Sequence, residues 1–388
     1  MRSAITPAFD RRSIPAVRAA VANHAERPAR PYRKRTDPVN AAVQQNPSHT
    51  TLGWDLGGAH VKRVALDEKG RVLAAEQVPC KLWLGLEHLA AAVRALDRPG
   101  TTAHAVTMTG ELVDLFADRA SGVERILRTF NENIAPAAVH VFAGDAFIDA
   151  TTATARWMDV ASANWRATAQ FVARNVSDAL VLDIGSTTTD VIPVNAGRIA
   201  LDSPDDHGRL TDDSLVYTGA VRTPLMAIAE RIPFRGKSVA LMAEWFATTA
   251  DVHRILGDLD PAFDHADTAD GRGRSTRDSM RRLARMIGCD VESASEADWI
   301  ALAKAFADRQ LDRIVRACER QVADCRLPPD APIVGLGAGR FLCRRAAVRL
   351  SRPYVDFVRL TDAPDDLATA VEVCGPAFAV ARLHANPS

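Results

Sequence analysis

Two segments about 130 residues apart, Thr51-Leu-Gly-Trp-Asp-Leu-Gly-Gly-Ala-His60 and Leu180-Val-Leu-Asp-Ile-Gly-Ser-Thr-Thr-Thr-Asp190, run an apolar strand into an aspartate and a glycine. Small or hydroxylated residues follow in both. A buried strand that ends this way offers backbone N–H groups and hydroxyls to an anion, and glycine lets the chain approach it closely. In the first segment Gly57, Gly58, His60 and Lys62 are candidate phosphate-binding residues, with Asp55 placed to hold a hydrated Mg²⁺. In the second, Gly185, Ser186, Thr187 and Thr188 take the phosphate role and Asp183 the metal role, and Asp190 is a candidate catalytic carboxylate. The plain alternative for the first is a hairpin in which Asp55 accepts backbone N–H bonds. That alternative is weaker for the second, because a structural turn seldom needs hydroxyls at four positions running, Ser186 to Thr189.

Other residues could carry chemistry beside these turns. Glu111 and Asp145 each follow a strand end and are candidate general bases, the alternative being helix capping or a turn. Tyr217, Arg222 and Thr223 combine a phenol, a guanidinium and a hydroxyl before Pro224, a set suited to clamping a carboxylate or phosphate. Gly335, Gly337 and Gly339 follow a strand and open a helix. Their GxGxG spacing departs from the dinucleotide fingerprint, so a loop against a nucleotide or substrate, or a close helix–strand contact, fits better. The ten histidines form no HxH or HExxH pattern, and the six cysteines no CxxC pair, which argues against zinc and for reduced thiols.

The elements that must position these groups repeat. Strand, aspartate-containing glycine turn, strand, hairpin, strand is expected over 51–79 and again over 179–201. Helices are expected at 86–96, from about 112, at 157–172, 224–230, 238–256, 276–287, 295–325 and 341–350, with a last one broken by Gly375-Pro376. A duplicated unit would set two like turns across one cleft.

Composition bounds the rest. At 388 residues with zero net charge the chain suits two ordinary domains. Residues 1–47 carry nine Lys or Arg against three acids, a difference of +6, and a disordered basic extension is expected over 1–48. The mildly acidic remainder speaks against a nucleic-acid partner. No apolar run approaches the roughly 18 residues of a membrane span, and no secretory h-region opens the chain, so a cytoplasmic protein without a membrane partner is expected.

The turns at Asp55–Gly58 and Asp183–Asp190, with Gly335–Gly339, resemble the phosphate and adenosine loops of the acetate kinase, sugar kinase, Hsp70 and actin superfamily. Asp183–Asp190 and Thr218-Gly-Ala-Val-Arg-Thr-Pro224 are similar to signatures of its hydantoinase A/oxoprolinase branch. Met108–Asp114, Ala143–Asp145, Thr268–Gly271 and Arg282–Asp290 resemble the subfamily tied to tetrahydromethanopterin-linked one-carbon metabolism. The resemblance implies an α/β, two-lobed, actin-like ATPase fold of duplicated ribonuclease H-like units, with an interlobe phosphate cleft and a helical insertion. It implies lobes over 49–175, joined by a C-terminal helix at 364–388, and over 176–363, with the insertion at about 225–325. It also implies Mg²⁺ and a transferase joining an aminomethylfuran diphosphate to the phenol of a γ-glutamyl tyramine or tyrosine. An ATP-dependent kinase or amidohydrolase, and a nucleotide-binding protein without turnover, stand as alternatives in which the cleft holds ATP.

Overall fold

The computed structural model describes residues 50–386 apart from Pro204. The expected basic extension over 1–48 lies outside the described residues. The first sheet contains β1 (Thr50–Leu56), β2 (His60–Leu66), β3 (Val72–Pro79), β4 (Thr101–Met108), β5 (Ala138–Ala143) and β6 (Ala146–Ile148), in the order β3-β2-β1-β4-β5-β6. Strand β1 pairs antiparallel with β2 and parallel with β4. The second sheet repeats that plan. Here β7 (Ala179–Ile184) pairs antiparallel with β8 (Thr189–Asn195) and parallel with β13 (Ile333–Leu336). Strands β9 (Arg198–Ile199), β10 (Leu215–Val216) and β14 (Tyr354–Asp356) complete it, in the order β10-β8-β7-β13-β14 with β9 on β8. The two glycine turns thus close equivalent β1–β2 and β7–β8 hairpins, and the α/β fold is two-lobed as expected.

Helices cover the sheets: α1 (Leu86–Leu96), α2 (Arg119–Glu132), α3 (Ala150–Ala155), α4 (Trp157–Val160), α5 (Asn164–Asn175) and α6 (Asp206–Thr211). The lobes share a core built around α5 and the C-terminal helix α12 (Gly375–Ala385), which follows α11 (Ala368–Val373). Phe171, Phe357 and Phe378 meet edge-on there, with ring centroids 5.1–5.9 Å apart. Burying three phenylalanines at such spacing contributes area and quadrupole terms together. Gly53 on β1 is needed for this contact, since a Cβ would sit 2.0 Å from the Ala377 carbonyl oxygen.

The insertion departs from expectation at its start. The helices expected at 224–230 and 238–256 are instead a single 3₁₀ turn (Leu225–Ala227), a hairpin of β11 (Arg231–Phe234) and β12 (Lys237–Ala240), and the short α7 (Thr249–Leu256). The reason is local: Arg235 and Gly236 both take positive φ (48° and 76°), the backbone of a two-residue hairpin turn. Helices α8 (Thr276–Arg285) and α9 (Glu296–Asp324) follow, packed about Trp299, Leu283 and Phe306, and α10 (Arg340–Arg349) succeeds β13. The helix expected from Leu112 begins only at Arg119, capped by Asp118 with Ser121. The helix expected at 157–172 breaks at Ser162, whose φ is 52°. No described helix is long and apolar enough to cross a membrane, and all six cysteines are free thiols.

Candidate active site

A cavity of about 570 Å³ opens between the lobes, lined by both glycine turns. On the first lobe the N–H groups of Gly58 and Ala59 have no acceptor among the described residues, whereas Gly57 N–H donates to the His60 carbonyl (3.0 Å) and shapes the turn. On the second lobe Gly185 N–H donates to Thr188 O (3.0 Å), and the N–H groups of Ser186, Thr187 and Thr188 have no acceptor among the described residues. Three successive N–H groups beside three hydroxyls are the donors that an anion nest would use. The nest is held from behind. Ala220 N–H donates to Gly185 O, and Val221 and Arg222 N–H donate to Ser186 O, all within 3.1 Å. Gly219 makes this approach possible, because a Cβ there would lie 2.5 Å from Thr187 N.

Charges converge beneath the turns. Asp55 is 3% exposed; its Oδ2 lies 3.4 Å from Lys62 Nζ, and its buried Oδ1 has no partner. Burial raises the Asp55 carboxyl above the ordinary range, Lys62 opposing. Asp183 is pushed up to about 7 by burial and by Asp190, its cross-strand partner. Burial alone would lower the Lys62 ammonium, but Asp55 and Asp183 outweigh it and hold the lysine charged. Burial, with Lys62 and His265 nearby, lowers His60 to about 3, so its ring is neutral at neutral pH. Asp190 accepts from Arg209 Nη2 (2.6 Å), and that guanidinium lies buried over the Trp165 ring at 4.2 Å.

Most sequence-derived candidates meet in this cavity: Asp55, Gly57, Gly58, His60, Lys62, Asp183, Gly185, Ser186, Thr187, Thr188, Asp190, Tyr217, Arg222 and Gly337 all line it. Five do not. Asp145 sits exposed in the tight β5–β6 turn, away from the cavity. Gly335 and Gly339 are packing glycines, where a Cβ would strike Tyr354 and Cys343 or Ile184. Thr223 is buried, its hydroxyl accepting from Gly219 N–H (2.9 Å) to brace the turn segment. Glu111 is 1% exposed and reaches the cavity only through the Ser162 hydroxyl.

The cavity also contains residues that the sequence did not single out. Trp83 and Phe263 form aromatic walls, Arg222 lies 5.1 Å from the Trp83 ring centroid, and Ser162, Asp206 and Arg209 line the inner side. Trp83 and Arg222 come from different lobes, and no short motif links them. Two further contacts join the lobes near the cavity: Lys81 Nζ to Asp267 Oδ2 at 2.7 Å, and the rings of His60 and His265 at 5.5 Å.

Residues 102–355 match the hydantoinase/oxoprolinase family model. The chain is 30% identical over 338 residues to the (4-{4-[2-(gamma-L-glutamylamino)ethyl]phenoxymethyl}furan-2-yl)methanamine synthase of Methanocaldococcus jannaschii, covering 86% of this chain and 96% of that protein. It is 31% identical over 157 residues to the enzyme of the same name from Methanococcus vannielii, covering 39% of this chain and 70% of the relative. Among solved structures, nucleotide-free acetone carboxylase superposes with a TM-score of 0.54 at 10% identity, covering 86% of this chain and 70% of that one; this likeness concerns the fold alone. With a family match across most of the two-lobed unit and a relative aligned over nearly its whole length, the chain belongs to the hydantoinase/oxoprolinase family.

Proposed function

We propose that this protein is a transferase that joins the methylene carbon of an aminomethylfuran diphosphate to the phenol oxygen of a γ-glutamyl tyramine, releasing diphosphate. The observation that carries the reading is the cavity itself, where N–H nests from both lobes face one space whose mouth is walled by Trp83, Tyr217 and Phe263. The relatives' name describes a phenoxymethylfuran, the ether such a displacement would make.

In this reading the N–H groups of Ser186, Thr187 and Thr188, those of Gly58 and Ala59, and the Lys62 ammonium bind the leaving diphosphate. Asp55 and Asp183 fit a hydrated Mg²⁺: they are hard oxygen donors, Asp55 Oδ1 is buried without a partner, and a carboxylate-lined floor repels a bare diphosphate. That ion would supply neutralisation of the leaving charge. No described group of three or more His, Cys, Asp or Glu side chains forms a metal cage, in keeping with an ion bound chiefly through substrate oxygens and water. Arg222 orients the acceptor beside Trp83, and a carboxylate on the inner wall takes the phenol proton as its oxygen attacks.

Mass spectrometry tests this with purified protein, Mg²⁺, aminomethylfuran diphosphate and γ-glutamyl tyramine, with and without ATP. Ether and diphosphate formed without ATP, and lost in Asp183→Asn, are expected. No ether, with ATP consumed, would overturn the reading in favour of an ATP-dependent kinase or amidohydrolase.

A further inference from the structure

Ser162 lies where the helix expected through 157–172 breaks, and the break turns its hydroxyl to the cavity wall. Its Oγ is 2.8 Å from Glu111 Oε1 and 3.1 Å from Asp206 Oδ2. A hydroxyl has one hydrogen and two lone pairs. It can donate to only one of these oxygens: an ionised Glu111 takes that bond, and the approach to Asp206 becomes a hydrogen bond once Asp206 receives a proton. Arg119 is ion-paired to Asp206. Glu111 has no such partner: its Oε2 is buried and unbonded, and Gly122 of α2 packs directly against its backbone. Burial raises Glu111 to about 7, with the Ser162 bond opposing. The charged neighbours of this network are Arg119 beside Glu111 and Asp206, and the Asp190–Arg209 pair beyond Asp206.

We propose that Asp206, Ser162 and Glu111 form a proton relay that accepts the phenol proton of the incoming nucleophile. This rests on the aryl-ether reading. The phenol O–H breaks toward Asp206, which lines the cavity, and its electron pair stays on oxygen to form the new bond to the methylene. The methylene–oxygen bond to diphosphate breaks with its pair on the leaving group. Asp206 passes the proton to Ser162 Oγ, and the serine's own hydrogen moves to Glu111 Oε1. The proton comes to rest on the buried carboxyl, where burial favours the neutral form, and Asp206 returns to its Arg119-paired charge. Asp206 is then the catalytic residue, while Ser162 and Glu111 are positioning residues that act through it. Asp206 belongs to the second lobe and the other two to the first, so the relay exists only when the lobes meet.

The test is single-turnover ether formation by the full chain with Mg²⁺, using γ-glutamyl tyramine and a ring-fluorinated analogue whose phenol is ionised at the assay pH. Glu111→Gln and Ser162→Ala are each expected to slow the ordinary acceptor about 100-fold, within the range for lost proton transfer, with KM changed less than about 3-fold. With the fluorinated acceptor, which brings no proton, the loss should shrink below about 10-fold. Equal losses with both acceptors, or wild-type rates with both, would overturn the relay. Ser162→Ala keeps Glu111 in place, so it decides the matter if Glu111→Gln does not fold. No ether from the wild-type protein with either acceptor would instead remove the reaction itself, and the relay with it.

Discussion

Gly219→Ala should impair anion binding far more than it impairs folding. An added Cβ would stand 2.5 Å from both Ser186 C and Thr187 N and 2.7 Å from Ser186 O, all backbone atoms of the nest. Ordinary non-bonded separations are about 3.5–4.0 Å, so roughly 1 Å must be found. Gly219 cannot supply it. Its N–H donates to Thr223 Oγ1, and its carbonyl accepts from Thr249 Oγ1 and Gln310 Nε2, all at 2.8–2.9 Å. The turn must therefore move, and a misplacement of about 1 Å costs on the order of 100-fold in a positioned site. Overpacking should cost roughly 1–3 kcal/mol in stability. Gly236→Ala is the matched control: its φ is 76° with nothing within 4 Å, so only the left-handed penalty of about 1–2 kcal/mol applies. Calorimetric titration with inorganic diphosphate and Mg²⁺, beside thermal unfolding of both variants, measures the two effects separately. A Gly219→Ala protein that binds diphosphate within 3-fold of wild type, while Gly236→Ala matches it in stability loss, would refute the argument that this glycine sets the nest.

Arg209→Met removes a buried guanidinium, the partner of half-buried Asp190, and its stack on Trp165; a loss of about 3 kcal/mol in urea unfolding is expected, and a loss below about 1 kcal/mol would show the pair to be dispensable. Glu372→Gln should raise the melting temperature increasingly above pH 5. Burial lifts Glu372 from 4.5 to about 7, with nearby Asp356 adding to the shift. The favoured neutral form lends stability that is full below about 4.5 and lost as pH rises through about 7. Glutamine does not titrate, so a melting-temperature gap that stays constant from pH 5 to 8 would contradict this.

The fold was legible where local chemistry and pattern agree. The two aspartate–glycine turns carried both the repeat and the position of the cleft, since a strand, a tight turn and a return strand are adjacent in sequence. Helix α9 over Glu296–Asp324 was legible from its apolar period and its Ser295–Asp298 cap. The Arg235-Gly236 hairpin was not, because arginine at positive φ is no standard turn signal. Nor was the break at Ser162, where Ala-Ser-Ala holds no helix breaker; tertiary contacts with Glu111 and Asp206 outweigh a modest local preference. Asp145 misled because a strand end near a glycine looks alike at the cleft and at the far edge of a sheet. Gly335 and Gly339 misled because close packing and ligand approach call for the same missing Cβ.

What the sequence does not show is how cavity residues depend on the opposite lobe. Arg222 acquires its place from Trp83, Lys62 its charge from Asp55 and Asp183, and Ser162 its second partner from Asp206. Each joins the lobes at the cavity, so the groups that would bind, ionise and accept a proton are assembled by one closure. Lys81–Asp267 is the exposed member of this set, and an exposed pair contributes roughly 0–1 kcal/mol. Such a pair cannot hold the lobes shut by itself. The inner contacts carry unpaired N–H donors and raised carboxyls, which an anion arriving with its cation would satisfy. If the cleft takes a diphosphate with its cation, ligand charge rather than surface pairing would favour lobes held together, the arrangement that sets Asp206 beside Ser162.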